Sequence, residues 1–326
     1  MQEEAKMRVA KIKEYARHVS AETDSDLFLL NGDISRAAAK QMYDNFSRIS
    51  CKRPNASLLL CTYGGDPNAA YLIADLFKKY YKIFTIYVFG ICKSAGTLIA
   101  LGADQIVMGA QGEFGPIDIQ LSKPDELLSS ESGLIYLQAL TSLQTATFSM
   151  FEHFFINIKR NSGDSIKTKT AAEIATNLAV GVMSPIAAQL DPLRLGEVNR
   201  ALAITQAYGS LLTNKSDAVT NLTVGYPSHG FVINFKEAKK LFGNVRQPNE
   251  TETVLELLLE EHVKDPCDSV LNVWLSESED NNEEENHEAR EAGPDGGNFA
   301  APDGNSCGEL PESIHQQSEE FPTLPA

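Results

Sequence analysis

An α/β fold on a parallel sheet is the class the sequence predicts, and three observations predict it. Short, continuously apolar runs recur in the first half of the chain, amphipathic stretches of helical spacing separate them, and the second half carries long helical patterns. The runs LFLLNG (27–32), SLLLCTY (57–63), KIFTIYVFG (82–90) and QIVMG (105–109) are too short for helices and apolar on both faces, as strands covered on both sides must be. Between them, SRAAAKQMYDNFSRIS and NAAYLIADLFKKYY place apolar residues three and four apart, which predicts helices. Strand, helix and strand in this order make βαβ units, whose parallel strands need right-handed crossovers.

Charged, helix-forming residues precede the first run, so 1–24 read as an N-terminal helix. Residues 25–125 then form the α/β core, and 126–275 a helical part with helices near 133–160, 169–189, 195–213, 235–242 and 252–263. The remainder, 276–326, is rich in Glu, Asn, Gly and Pro with few large apolar residues, and is expected to be disordered because it cannot bury enough surface to offset its chain entropy. Its expected role is a solubilising tail, with partner binding or autoinhibition as the sharper alternative. No internal repeat is found.

The formal charge of −16 is uneven: 276–326 hold 14 acidic residues against one basic residue, Arg290, which leaves about −3 for the rest. A nearly neutral body without a basic stripe excludes nucleic acid as the main partner. The start of the chain has no apolar segment followed by a small-residue cleavage site, so a cytoplasmic location is expected. The uncharged window SGLIYLQALTSLQTATFSMF (132–151) has the length of a membrane span, but its Ser, Thr and Gln suit a buried helix, and no span is expected. The five cysteines, Cys51, Cys61, Cys92, Cys267 and Cys307, have neither zinc-site nor disulfide spacing and read as free thiols. No P-loop, HExxH or dinucleotide fingerprint occurs, so no metal and no other cofactor is expected.

Chemistry concentrates at two strand ends, where ligands of parallel α/β sheets sit. In CTYGGDPNAA, Gly64 and Gly65 allow a sharp turn with exposed N–H groups, Asp66 can cap the next helix, and Pro67 suits its first turn. In FGICKSAGTLIA, Ser94 stands at a helix start, where the dipole and the Ala95 N–H favour negative charge. Together they outline a serine nucleophile with an oxyanion hole from Gly65 and Ala95. Each piece alone has a plain structural meaning: Gly-Gly is a common turn, and serine a common N-cap.

The blocks YGGDPNAAYLIADLF, KSAGTLIALGADQIVMG and FGPIDIQL resemble the serine dehydrogenase proteinases, Clp-fold serine peptidases of the ClpP/crotonase superfamily related to signal peptide peptidase A. IKTKTAAEIATNLAVGVMSPIAAQLDPLRLGEVNRALAITQAYG and YPSHGFVI are also similar to that family, so the resemblance spans about residues 25–245. It implies a ββα spiral with a helical C-terminal half, a nucleophile at Ser94, peptide or unfolded-protein substrates, and assembly into a homo-oligomer through the helical part. "Dehydrogenase" there names a target, and no redox chemistry is expected.

A serine hydroxyl needs a base. The Clp-type histidine about 25 residues downstream is missing, because IDIQ stands there. Lys123, in GPIDIQLSKPDEL, is the first choice for a Ser–Lys dyad, provided that burial keeps its amine neutral. Its plain alternative is a solvated loop charge. His229 in YPSHGFVI is the other base, and the order Ser94, Asp191, His229 would imitate an α/β-hydrolase triad, although Cys92 stands where that elbow wants glycine. Lys93 is adjacent to Ser94, so its side chain diverges and packs, pairs with a carboxylate or contacts substrate; Asp118 orients Lys123 or Lys93, with a purely structural role as the alternative. Two rivals remain open at this point: a crotonase-type acyl-CoA enzyme, disfavoured by Ser94 and the neutral body, and a non-catalytic scaffold that binds peptides or a partner.

Overall fold

The computed structural model describes residues 2–117, 120–122, 130–163, 165–267 and 270–276, without the side chains of 2–6, 120–122 and 130–134. Two sequence-predicted site residues, Asp118 and Lys123, lie outside the described residues, as does the acidic segment from Glu277 with Cys307.

The first half runs α1 (Gln2–Thr23), β1 (Ser25–Asn31), α2 (Arg36–Ser47), β2 (Asn55–Cys61), α3 (Pro67–Tyr80), β3 (Phe84–Val88), β4 (Ile91–Cys92), α4 (Ala95–Leu101), β5 (Gln105–Met108) and β6 (Glu113–Phe114). There follow β7 (Gln120–Ser122) and β8 (Ser130–Ser132), then the long helices α5 (Gly133–Asn161), α6 (Thr168–Ala187) and α7 (Pro192–Leu212). The chain closes with α8 (Ser216–Thr220), a π-helical turn (Asn221–Gly225), α9 (Phe235–Phe242), β9 (Val245–Arg246), α10 (Glu250–Leu258), α11 (Glu260–Val263) and β10 (Leu271–Trp274). The fold is mixed α/β, with a mostly parallel sheet and a helical middle, the class that the apolar runs predict.

The main sheet has the order β10-β1-β2-β3-β5-β9, parallel except for β10 at one edge. Phe28, Leu58, Ile86, Ile106 and Val245 lie in register across it. Alternation sends Phe28, Leu58 and Ile86 into the larger core with α2, α3 and α4, and Leu27, Leu29, Leu59 and Tyr87 into a second core with α1, α10 and α11. This two-sided burial is why the strands read as unbroken apolar runs.

Past their carboxyl ends the central strands hand over to a second, shorter layer: Ile34 pairs with Gly65, Thr62 with Cys92, β4 with β6, and Phe114 with Ile233. Long strand, short strand and helix thus repeat along the chain, which is the ββα spiral. No strand is expected from the sequence beyond the one that precedes Lys123, yet β9 and β10 bring the chain back to both edges of the sheet. Each is only two to four residues long, too short to show a period. Among the described residues, no single helix is long and apolar enough to cross a membrane.

A buried ion pair ties α10 to the sheet. Glu252, fully buried, takes both Arg246 nitrogens at 2.6 Å, the Tyr87 hydroxyl at 2.7 Å and the Asn249 N–H at 2.7 Å. Burial pushes its carboxyl up, but Arg246, the Asn249 N–H and Tyr87 together hold it below its ordinary value of 4.5. A depressed acid contributes stability that is complete above the unfolded value and is lost as pH falls through the folded one. Glu252→Ala is therefore expected to cost about 3 kcal/mol at pH 7, the low end for a broken buried pair because Arg246 is partly exposed. Urea denaturation should also show the difference between wild type and variant shrinking below pH 4.5, where the wild-type carboxylate takes up its proton.

Candidate active site

Ser94 joins β4 to α4 and occupies the N-cap position with φ 51° and ψ −114°, and its side chain makes no capping bond. Only Asp24 is another non-glycine at positive φ among the described residues. A side chain in this region costs on the order of 1–3 kcal/mol and persists only when its surroundings enforce it. Both flanks supply that enforcement. Lys93 N–H donates to the Thr62 carbonyl at 2.9 Å, tying the turn to β2, and the Leu98 N–H donates to the Ser94 carbonyl at 3.1 Å. Thr97, fully buried, anchors the start of α4 by donating to the Gly115 carbonyl at 2.7 Å. The conformation turns the half-buried Ser94 away from capping its own helix and onto a cavity wall.

The Gly64–Gly65 turn lies directly against it. A methyl on Gly64 would stand 2.7 Å from Ser94 Cβ, 3.1 Å from its Oγ and 3.4 Å from Ala95 N. Gly64 and Gly65 have φ of 129° and 139°, which glycine alone adopts readily. The Gly64 N–H is engaged by Thr62 Oγ1 at 2.9 Å. Among the described residues, by contrast, no acceptor engages the N–H of Gly65 or of Ala95, which is the first residue of α4. Asp66 caps α3 as the sequence suggests, accepting from Asn68 N at 2.9 Å, and it faces Arg36 at 3.4 Å.

These residues border a cavity of about 710 Å³, lined on one side by Tyr63, Gly65, Pro67 and Asn68, on another by Lys93, Ser94 and Ala95, and closed by Ile117, Ala201, Ile204, Thr205, His229 and Gly230. The structure thus brings Gly65, Lys93, Ser94, Ala95 and His229 together. The Lys93 amine is committed to Glu113 at 2.9 Å, with its stem packed over Gly115, which agrees with a lysine that pairs with a carboxylate. His229 is carried by a segment held at both ends: Ile117 N–H donates to the Leu222 carbonyl at 2.8 Å, and Phe114 and Ile233 exchange bonds of 3.0 and 2.9 Å. Asp191 caps α7 by accepting from Leu193 N at 2.8 Å, is exposed, and does not line the cavity, so Ser94, Asp191 and His229 do not form a triad.

Beneath the site, burial pushes the Cys61 thiol up to about 12 and Cys92 well above its ordinary value, so both are inert, free thiols. Among the described residues no group of three or more His, Cys, Asp or Glu could hold a metal. Asn68 and the α7 wall escaped the sequence reading. The signal was present, since Ala201, Ile204, Thr205 and Tyr208 recur at helical spacing, but it does not tell a cavity wall from a core face.

No family model matches the chain, and no curated protein matches it. Among solved structures it is similar to a mutant of the 1510-N membrane-bound stomatin-specific protease, with 18% identity and a TM-score of 0.30 over 46% of this chain and 69% of that one. A second mutant of that protease, in complex with a substrate peptide, shows 15% identity and a TM-score of 0.30 over 73% of this chain and 99% of that one. The likeness is distant.

Proposed function

We propose that the chain is a serine peptidase that cleaves peptides or unfolded protein segments through an acyl-enzyme on Ser94. The observation that carries this reading is the strained backbone of Ser94, held in the left-handed region on the wall of a large cavity, beside two N–H groups that no acceptor among the described residues engages. A serine that served only as an N-cap would adopt an extended backbone and bond its helix. In the proposed reaction Ser94 Oγ attacks the substrate carbonyl and its proton passes to a base. The Gly65 and Ala95 amides hold the oxyanion, the C–N bond breaks, and the base returns the proton to the leaving amine. Water, activated in the same way, releases the acyl group. The protein is further proposed to be cytoplasmic and to assemble into a homo-oligomer, both resting on the sequence reading.

Lys123 is the proposed base, on the strength of the sequence resemblance. His229 is the second reading, favoured by its place on the wall that also holds Ser94. Hydrolysis of a fluorogenic peptide by the Lys123→Ala and His229→Ala variants tests the assignment. General-base removal costs about 100-fold or more in turnover, so Lys123→Ala is expected to fall by at least that factor and His229→Ala by less than tenfold. The opposite pattern moves the base to His229, and unchanged hydrolysis in both variants removes both residues from this role.

A further inference from the structure

We propose that Asn68 is a substrate-binding residue that donates a hydrogen bond from its side-chain amide to a backbone carbonyl of the chain bound beside Ser94. The assignment rests on the peptidase reading and deepens it. Asn68 is the second residue of α3, three positions after Gly65, is half-buried, and lines the cavity shared with Ser94.

Its amide is oriented by two fixed partners. Nδ2 donates to Asp66 Oδ1 at 2.6 Å, and Oδ1 accepts from the Tyr208 hydroxyl at 2.8 Å. Chemistry settles which end is which. The carboxylate of Asp66 can only accept, so the amide nitrogen must face it, and the oxygen then faces the hydroxyl. Tyr208 is itself fixed from α7 by stacking on Tyr71 of α3, with ring centroids 4.7 Å apart and planes 15° apart. Asp66 is held in turn by the Asn68 N–H at 2.9 Å and by Arg36 at 3.4 Å.

An amide nitrogen has two hydrogens, and Asp66 takes one. Among the described residues nothing accepts the other. A planar amide locked on both sides cannot swing that hydrogen elsewhere, so on the lining of the cavity it stays available to an incoming acceptor. The surrounding wall is largely apolar, with Pro67, Ile117, Ala201 and Ile204, and offers little competition for an incoming carbonyl. A peptide supplies such carbonyls at every residue, whereas a simple alkyl ester supplies none beyond the reacting one. Asn68 is thus expected to discriminate peptides from simple acyl compounds, and Tyr208 to act as its positioning residue.

The test compares the rate of Ser94 labelling by two phosphonates, an alkyl fluorophosphonate and a tripeptidyl phosphonate that carries amide carbonyls. Asn68→Ala is expected to slow the tripeptidyl reagent by about three- to tenfold, the range for one hydrogen bond, and to leave the alkyl reagent unchanged. Tyr208→Phe should show a smaller loss with the same selectivity. Equal slowing of both reagents would make Asn68 a structural support only, and unchanged rates with both would remove its role. Failure of both reagents to label Ser94 in the unmodified protein would remove the peptidase reading and, with it, this assignment, whereas labelling by the alkyl reagent alone would leave the nucleophile in place and overturn the peptide-binding role of Asn68.

Discussion

A Ser94→Gly variant is expected to lose acyl transfer and to gain stability in the same step. Removal of a serine nucleophile lowers turnover by roughly 10⁴-fold or more. The stability gain follows from the backbone: φ 51° and ψ −114° strain any residue with a Cβ, and glycine relieves that strain. Relief of about 1–3 kcal/mol, set against about 0.5–1 kcal/mol of extra chain entropy for glycine, leaves a net gain of about 1 kcal/mol. Ser94→Ala separates the two effects, because alanine removes the hydroxyl and keeps the Cβ. Both variants should be inactive, and only the glycine variant should melt later than wild type. Equal melting of the glycine and alanine variants would show that the conformation stores no strain.

Gly65→Ala is expected to damage fold and site together. A methyl there would lie 2.1 Å from the Ile34 carbonyl oxygen and 2.9 Å from its carbon, on a backbone of φ 139°. Ile34 cannot move aside, because its N–H donates to the Gly64 carbonyl at 2.8 Å and its carbonyl accepts from Asp66 N at 2.7 Å. Relief therefore has to come from opening the turn, which shifts the Gly65 N–H and loosens the Asp66 cap. The expected loss is about 4 kcal/mol or more of stability, in the range reserved for a strained backbone clash. In whatever fraction folds, turnover should fall by about 100- to 1000-fold, as for loss of an oxyanion donor. Gly196→Ala, on an exposed face of α7 with nothing near its added methyl, is the control and should be neutral or slightly stabilising. A fully active, stable Gly65→Ala protein would contradict the packing of Gly65 on Ile34 and its N–H as an oxyanion donor.

Much of this arrangement is legible in the sequence because it rests on local signals. Leu27–Leu30, Leu58–Leu60 and Phe84–Val88 are buried on both faces, so their strands read as apolar runs, and helices α2 and α3 show their spacing between them. Gly64, Gly65 and Ser94 are legible as a turn and a helix start next to strands. The strain at Ser94 is not, because it depends on Thr62 and Gly115, distant in sequence, fixing the chain on either side. The same holds for the Asn68–Tyr208 contact, which spans 140 positions and exists only because α7 folds back over α3. The pairing of Lys93 with Glu113 was foreseen as a kind of interaction, but its partner was not, since β4 and β6 meet only in the second layer.

A nucleophile at Ser94 is tested by treating the folded protein with an alkyl fluorophosphonate, measuring its intact mass and mapping the modified peptide. A single adduct is expected on the peptide containing Ser94, and none in the Ser94→Ala variant. A folded protein that takes up no reagent, or takes it up at another residue, would contradict a nucleophile at Ser94.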